Sequence, residues 1–559
     1  MVSAQDLEFK LQDLYKKKKY SEIIFQITSK IKEEDRNAGL YVLLGISRMS
    51  LNSNDQNQVS LAVQDFKKGY FKEKESVNGL NALTNLVVAS SMLSDFENTN
   101  VDFDEIKNFY KASPKPFNDK RPINIAMSTL YKRLSDYEGM VFHLEKIIKS
   151  KEFIVQDLCN YVYWRCFDKN WSQSEFLKFG KFVNDNLRKY SNEDVFPLSN
   201  KKNEKIRVGF LSADIKRDHS VTYFLKTVLQ NYDKKKFEII LFTNRIKEET
   251  NSEKITSLAS KTIDVGKLSN LDAFNTIRKF NLDIMIDIMG YTSLNKIEFF
   301  KNRLAKKQII WMGYCNTSGL ENMDYIITDP NLIYKNEKNL YSEEILYLPE
   351  IWNCHCGFDF ERKENPPPFV KNKYFTFGSF NNPAKMTESV LNCWSNILKK
   401  VKGSKLIIKC ANKKLRFDRI EKIFKQNGVL NSVTFHQSID KLEDHLNLYK
   451  EIDIALDTFP YNGVTTSFEA IWMGVPVITI AGYNFNSRCG ESINKNLNME
   501  HLIAKDEDDY VKKVVNLTNN TNDYIKIRKS IFLDAVKSPL FNKKDYSKSF
   551  FESLRKIVQ

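Results

Sequence analysis

The pattern that begins near residue 205 constrains the fold more than any other feature of the chain. Short apolar runs bounded by turns alternate there with amphipathic helical stretches: IRVGFLSAD (206–214), FEIILFTN (237–244), LDIMIDIMG (282–290), QIIWMGY (308–314), MDYIITD (323–329) and EILYLP (344–349). These runs are apolar throughout rather than at every second position, which predicts strands covered on both faces, as in a parallel sheet. A Pro-rich break, ENPPPFVKNK (364–373), precedes a second series: YFTFGSF, SKLIIKC, VTFHQS, IDIALDT, PVITIAG and HLIAK. Strands alternating with helices argue an α/β class. Two doubly wound, Rossmann-like domains in succession then place a crevice at their strand C-termini, where open α/β sheets bind ligands.

The earlier residues have a different texture. DLEFKLQDLYKKKKYSEIIFQITSKI and PINIAMSTLYKRLSDYEGMVFHLEKIIKS repeat apolar residues at three- and four-residue intervals, the mark of helices. Leu44-Gly45 in one helix, with Ala62, Phe66 and Gly69 in the next, look like a degenerate tetratricopeptide repeat. A helical bundle with small residues at its crossings fits equally well, since repeat arrays need several units. The polar stretch YSNEDVFPLSNKKNEK (190–205) reads as a linker. The expected division is an all-α domain at 1–195, an α/β domain at 196–368 and a second at 369–559, as a chain this long requires.

Charge and cysteine usage narrow the function classes. The net charge is +15, from 85 basic and 70 acidic residues. The lysines are scattered, in pieces such as KKKK (16–19) and KKK (234–236), so a solvated face explains them better than a nucleic-acid surface. The same charge suits an anionic small substrate. No apolar run is long enough for a bilayer, and the charged N-terminus lacks a signal-peptide stretch. A soluble, cytoplasmic chain with neither nucleic-acid nor membrane partners is expected. The eight cysteines are sparse and read as reduced core thiols. Cys354-His355-Cys356 has the wrong spacing for zinc, so no metal is expected.

The chain lacks GxGxxG after the first strand, GxxxxGK[ST] and HExxH, which argues against dehydrogenase, P-loop and metalloprotease chemistry. The informative segment is DIALDTFPYNGVTTSFEAIWMGVPVITIAG (453–482). A strand ends at Asp457, a Pro/Asn/Gly loop follows, and a helix begins near Thr465. The first amides of a helix have no intrahelical partners and carry its positive dipole end. With the hydroxyls of Thr465 and Thr466 beside them they form a cradle for a diphosphate. Gly463 permits close approach, and Glu469, one turn on, is placed to accept from ribose hydroxyls. In the plainer reading Thr465 is only an N-cap and Glu469 a dipole partner. FGSFNNPAKMT (377–387) is a second strand-to-helix loop, with Lys385 facing the same crevice and able to neutralise a leaving phosphate. His219, in the loop after the first strand of the other domain, completes the set across the cleft.

These segments resemble the O-linked N-acetylglucosamine transferase and SPINDLY family of protein glycosyltransferases. The resemblance runs from about residue 205 to the C-terminus in consistent order. It takes in RVGFLSAD with His219, GYTSLNKIEFF, WMGYCNTSGLENMDYIITDP (311–330), FNNPAK, LDTFPYNGVTTSFEAIWMGVPVIT, Ser487-Arg488 and SPLFN (538–542). GYCNTSG looks closer to the SPINDLY branch and its bacterial relatives. The resemblance implies the two-domain glycosyltransferase B fold behind tetratricopeptide-like helices, and inverting, metal-independent transfer from a nucleotide sugar to a protein or peptide. N-acetylglucosamine from UDP-GlcNAc to Ser or Thr is the expected reaction. GDP-fucose O-transfer, UDP-glucose N-transfer and an inactive binding scaffold are the alternatives. It implies that Lys385, Asn382, Gly463, Thr465 and Thr466 bind the donor diphosphate, Glu469 the ribose and His445 the base. It places His219 near phosphate and acceptor, with Lys385 and His219 as the catalytic pair. Val464 stands where animal members carry a histidine, and Asp283 near where another would fall.

Overall fold

The computed structural model describes residues 4–53, 55–93, 103–199, 202–215, 219–244, 253–410, 417–439 and 441–559. The chain forms two compact units: the first runs to Asp157 and also takes in Asn412–Arg419, and the second holds Leu158–Ala411 and Ile420–Gln559, so the main division falls within the helical stretch. The first is helical. Its helices Ala38–Leu51, Gln56–Lys72 and Val77–Met92 begin at Asn37, Asp55 and Ser76, each of whose side chains accepts from an amide of the first turn. These are residue types that satisfy the orphan donors of a helix start. A Cβ at Gly45 would lie 2.6 Å from the Phe66 ring, so the glycine lets two helices cross closely over a buried phenylalanine. Phe66 belongs to a core with Val59, Ala62, Leu83, Leu86 and Val87. Its truncation to alanine is worth about 3–5 kcal/mol.

The second unit holds two sheets. In the first, β1 (Ile206–Leu211), β2 (Phe237–Thr243), β3 (Lys261–Asp264), β4 (Ile284–Asp287), β5 (Lys307–Ile310), β6 (Tyr325–Thr328) and β7 (Glu344–Tyr347) lie in the order β3-β2-β1-β4-β5-β6-β7. In the second, β8 (Thr376–Ser379), β9 (Lys405–Lys409), β10 (Val433–His436), β11 (Ile454–Leu456), β12 (Val477–Ile480) and β13 (Ile503–Ala504) lie in the order β10-β9-β8-β11-β12-β13. All of their pairings are parallel. Each is a Rossmann-like sheet. The runs that are apolar throughout are the covered ones: all four residues of β4 and of β8 are buried.

This strand order fixes where a site can form. The chain reverses its direction of travel between β1 and β4 in one sheet and between β8 and β11 in the other. The loops that leave those four strands therefore diverge and open a crevice at each switch point. His219 follows β1, Lys385 follows β8 and Thr465 follows β11. The lobes are tied by named contacts. The Arg488 guanidinium donates to both oxygens of Glu337 at 2.6 and 2.8 Å and lies 3.9 Å from the Tyr334 ring centre. Phe224 and Phe468 meet edge-on at 5.2 Å. The last helix, Lys543–Lys556, returns to the first lobe, where the Ser547 hydroxyl donates to the Thr227 carbonyl.

Candidate active site

The loop after β11 turns into the helix Thr465–Trp472 with Val464 at the N-cap and no side-chain cap bond. Thr465 is thus the first helical residue rather than a cap. The amides of Ser467 and Phe468 both donate to the Val464 carbonyl at 3.0 Å. Those of Thr465 and Thr466 have no partner among the described residues. The helix start presents two donors, as anion sites at such termini require.

Around these donors the polar groups interlock. The Lys385 ammonium donates to the Asn462 carbonyl at 2.7 Å and sits 4.1 Å from the Tyr461 ring centre, and Phe167 meets that ring edge-on at 5.0 Å. Burial pushes the Lys385 pKa down, and the Asp457 carboxylate opposes the shift; an arriving diphosphate would hold the ammonium charged. Asp457 directly follows β11 and organises the loop. It accepts from the amides of Gly463 at 2.6 Å and Thr458 at 2.9 Å, and from the Thr479 hydroxyl at 2.8 Å. Burial raises its pKa to about 6. A Cβ at Gly463 would lie 2.5 Å from the Thr466 hydroxyl and 2.8 Å from the Asn381 side-chain oxygen. Glycine is needed here because any side chain would displace the Thr466 hydroxyl, which donates to Asn381 at 3.1 Å.

One turn along the helix, Glu469 accepts from His445 Nε2 at 2.9 Å and from the Tyr449 hydroxyl at 2.8 Å through one oxygen. The structure therefore brings Lys385, Gly463, Thr465, Thr466, Glu469 and His445 to one strand-end cluster. Asn382 is exposed, and its side chain accepts from the Ala384 amide at the start of the Pro383–Lys385 turn; its neighbour Asn381 makes the contact with the cradle. On the other lobe His219 caps the helix Ser220–Gln230, its Nδ1 accepting from Val221 at 3.4 Å and lying 3.5 Å from Asp214. Phe224 and Phe468 both lie in the first half of their helices, so their contact joins the helix capped by His219 to the one headed by Thr465. Residues 216–218 of the His219 loop lie outside the described set.

Asp457, Asn381, Tyr449 and Tyr461 were not singled out in the sequence. Asp283 is a structural group that accepts from the Arg207 amide and pairs with Lys306 at 2.9 Å. His355 is buried in an aromatic box with Tyr223, Phe358 and Phe468, and burial lowers its pKa to about 3. No described helix is long and apolar enough to cross a membrane.

The profile of glycosyl transferase family 41 matches residues 186–356 and 370–550, which takes in both lobes. The chain belongs to this family. Among curated relatives, it is 33% identical over 344 residues to a probable UDP-N-acetylglucosamine–peptide N-acetylglucosaminyltransferase SPINDLY of Solanum lycopersicum. That match takes in 60% of this chain and 36% of the tomato protein. It is 26% identical over 373 residues to the SEC protein of Arabidopsis thaliana, 62% of this chain and 37% of that one. The chain thus spans well under half the length of these relatives. A mutant O-GlcNAc transferase of Thermobaculum terrenum shares the fold, with a TM-score of 0.74, 18% identity and coverage of 96% of this chain and 98% of that one.

Proposed function

We propose that this chain is an inverting, metal-independent glycosyltransferase. Its first donor is UDP-N-acetylglucosamine and its acceptor a Ser or Thr hydroxyl of a protein. One observation carries the reading: the Lys385 ammonium rests on the carbonyl of Asn462, two residues from Val464, whose helix start offers the partnerless amides of Thr465 and Thr466. The acceptor hydroxyl attacks the anomeric carbon as the bond from that carbon to the β-phosphate oxygen breaks; negative charge grows on the leaving diphosphate, which takes up the hydroxyl's proton. Preorganised donors aimed at developing charge are often the largest catalytic effect. Lys385 and the two amides supply that positive potential without a metal ion. Glu469, oriented by His445 and Tyr449, receives the ribose hydroxyls. His219, with Nδ1 engaged by Val221, donates through Nε2 to phosphate or acceptor oxygen. The relatives' names support UDP-N-acetylglucosamine as donor.

The test is transfer to a protein-extract acceptor from UDP-N-acetylglucosamine, GDP-fucose and UDP-glucose, each with and without EDTA. Transfer from the first, unchanged by chelation, is expected. Transfer only from another donor reassigns the sugar, activity lost on chelation removes the metal-independent mechanism, and no transfer from any donor favours a binding scaffold.

A further inference from the structure

The donor-site residues described so far leave one buried cation unexplained. Lys409 is the last residue of β9, the strand beside β8, and stands in register with His436 of β10. It is only 5% exposed, yet no hydrogen bond or ion pair reaches its ammonium among the described residues. A buried charge without a partner is costly, and natural proteins rarely keep one without a ligand or function. The carboxylate that acts on it is Glu469, while burial pulls its pKa down. Glu469 is already engaged by His445 and Tyr449. A second buried atom beside that carboxylate, His445 Nδ1, also has no partner. The other lysine answers to a different charge: Asp457 acts on Lys385. Lys385 follows β8 and meets the β11 loop, whereas Lys409 ends β9 on the other side of β8, so the two cations stand at different places along one strand-end rim.

We infer that Lys409 is a specificity-determining residue of the donor site, its ammonium donating to a keto oxygen of the nucleobase; this rests on the reading of the crevice as a nucleotide-sugar site. An ammonium is a donor only, so it pairs with the keto oxygens of uracil or guanine and opposes the exocyclic amine of adenine. A site built around such a bond discriminates against an analogue that lacks the acceptor.

The test is calorimetric titration of UDP, GDP and ADP into the full chain, as wild type, Lys409→Met and Lys385→Ala, with melting curves to show that each is folded. Wild type is expected to bind UDP or GDP at least tenfold more tightly than ADP. Lys409→Met loses that preference, weakening the keto-base nucleotide about tenfold and leaving ADP unchanged. Lys385→Ala weakens all three by a common factor. Wild-type affinities in Lys409→Met, or one equal loss across the three nucleotides, overturn the inference. Lys409→Leu, which also lacks a donor, reads out the same contrast if the methionine variant does not fold. Wild type that binds none of the three overturns the glycosyltransferase reading itself, and this inference with it, before any variant is compared.

Discussion

The two lobes present their crevice residues in different ways. At the rim of the second sheet, polar groups hold one another at 2.6–3.1 Å: Gly463 on Asp457, Lys385 on Asn462, Tyr449 and His445 on Glu469, Thr466 on Asn381. At the rim of the first, His219 meets Val221 and Asp214 at 3.4 and 3.5 Å. Preorganisation lowers the cost of binding and of catalysis. Under the proposed function, this difference predicts that the donor half is set before any ligand arrives and that His219 acts once donor and acceptor are both present.

The largest expected effect breaks the preset half. Lys385→Ala should lower kcat/KM by roughly a thousandfold, the upper range for losing one charge-stabilising donor. Steady-state kinetics with a melting curve to verify folding checks it. Gly463→Ala should cost about 2 kcal/mol of donor binding, roughly thirtyfold, since its methyl displaces the Thr466–Asn381 bond and strains the Asp457 loop. Calorimetry with the nucleoside diphosphate reads that out. His219→Ala sharpens the contrast from the other side. It should lower kcat about tenfold, the value of one hydrogen bond, with donor affinity unchanged. A fall in donor affinity there would show the first lobe to be as preset as the second.

A further effect, on stability rather than activity, concerns the seam between lobes. Asp329 accepts from the Ser492 hydroxyl at 2.7 Å and the Trp352 amide at 3.0 Å, and burial raises its pKa to about 7. An unfolded aspartate titrates near about 3.9. The folded protein therefore binds the proton more tightly, so this contribution to stability is complete below pH about 4 and is lost as pH rises to about 7. Asp287 and Asp457, both raised to about 6, act in the lower part of that window. Denaturant melts at a series of pH values should show Asp329→Asn removing the fall between pH about 6 and about 7 and lowering its slope between about 4 and about 6, where Asp287 and Asp457 still contribute.

Much of this arrangement was legible in the sequence because it is local. Runs such as IRVGFL and IALD announce buried parallel strands, and a Pro/Asn/Gly loop before Thr-Thr announces a helix start at a strand end. Lys385, Gly463, Thr465, Thr466 and Glu469 were visible for that reason. What was hidden is tertiary. Asn381 and Asn382 are consecutive and alike in type, and only packing decides that the first turns toward Thr466 while the second caps a turn. Asp457 looked like the end of a strand, yet it anchors the loop through three donors. Tyr449 reads as one more apolar position on a helix until its hydroxyl is seen on Glu469. The division at Asp157 was hidden too, since nothing in the periodicity of the helices beyond it distinguishes them from those before.

The most direct test is a crystal structure of the chain with a bound nucleoside diphosphate. The account predicts phosphate oxygens within hydrogen-bond distance of the Thr465 and Thr466 amides and of Lys385 Nζ, with the ribose on Glu469. A diphosphate seated elsewhere, or one that leaves Lys385 on the Asn462 carbonyl and those amides untouched, would contradict it.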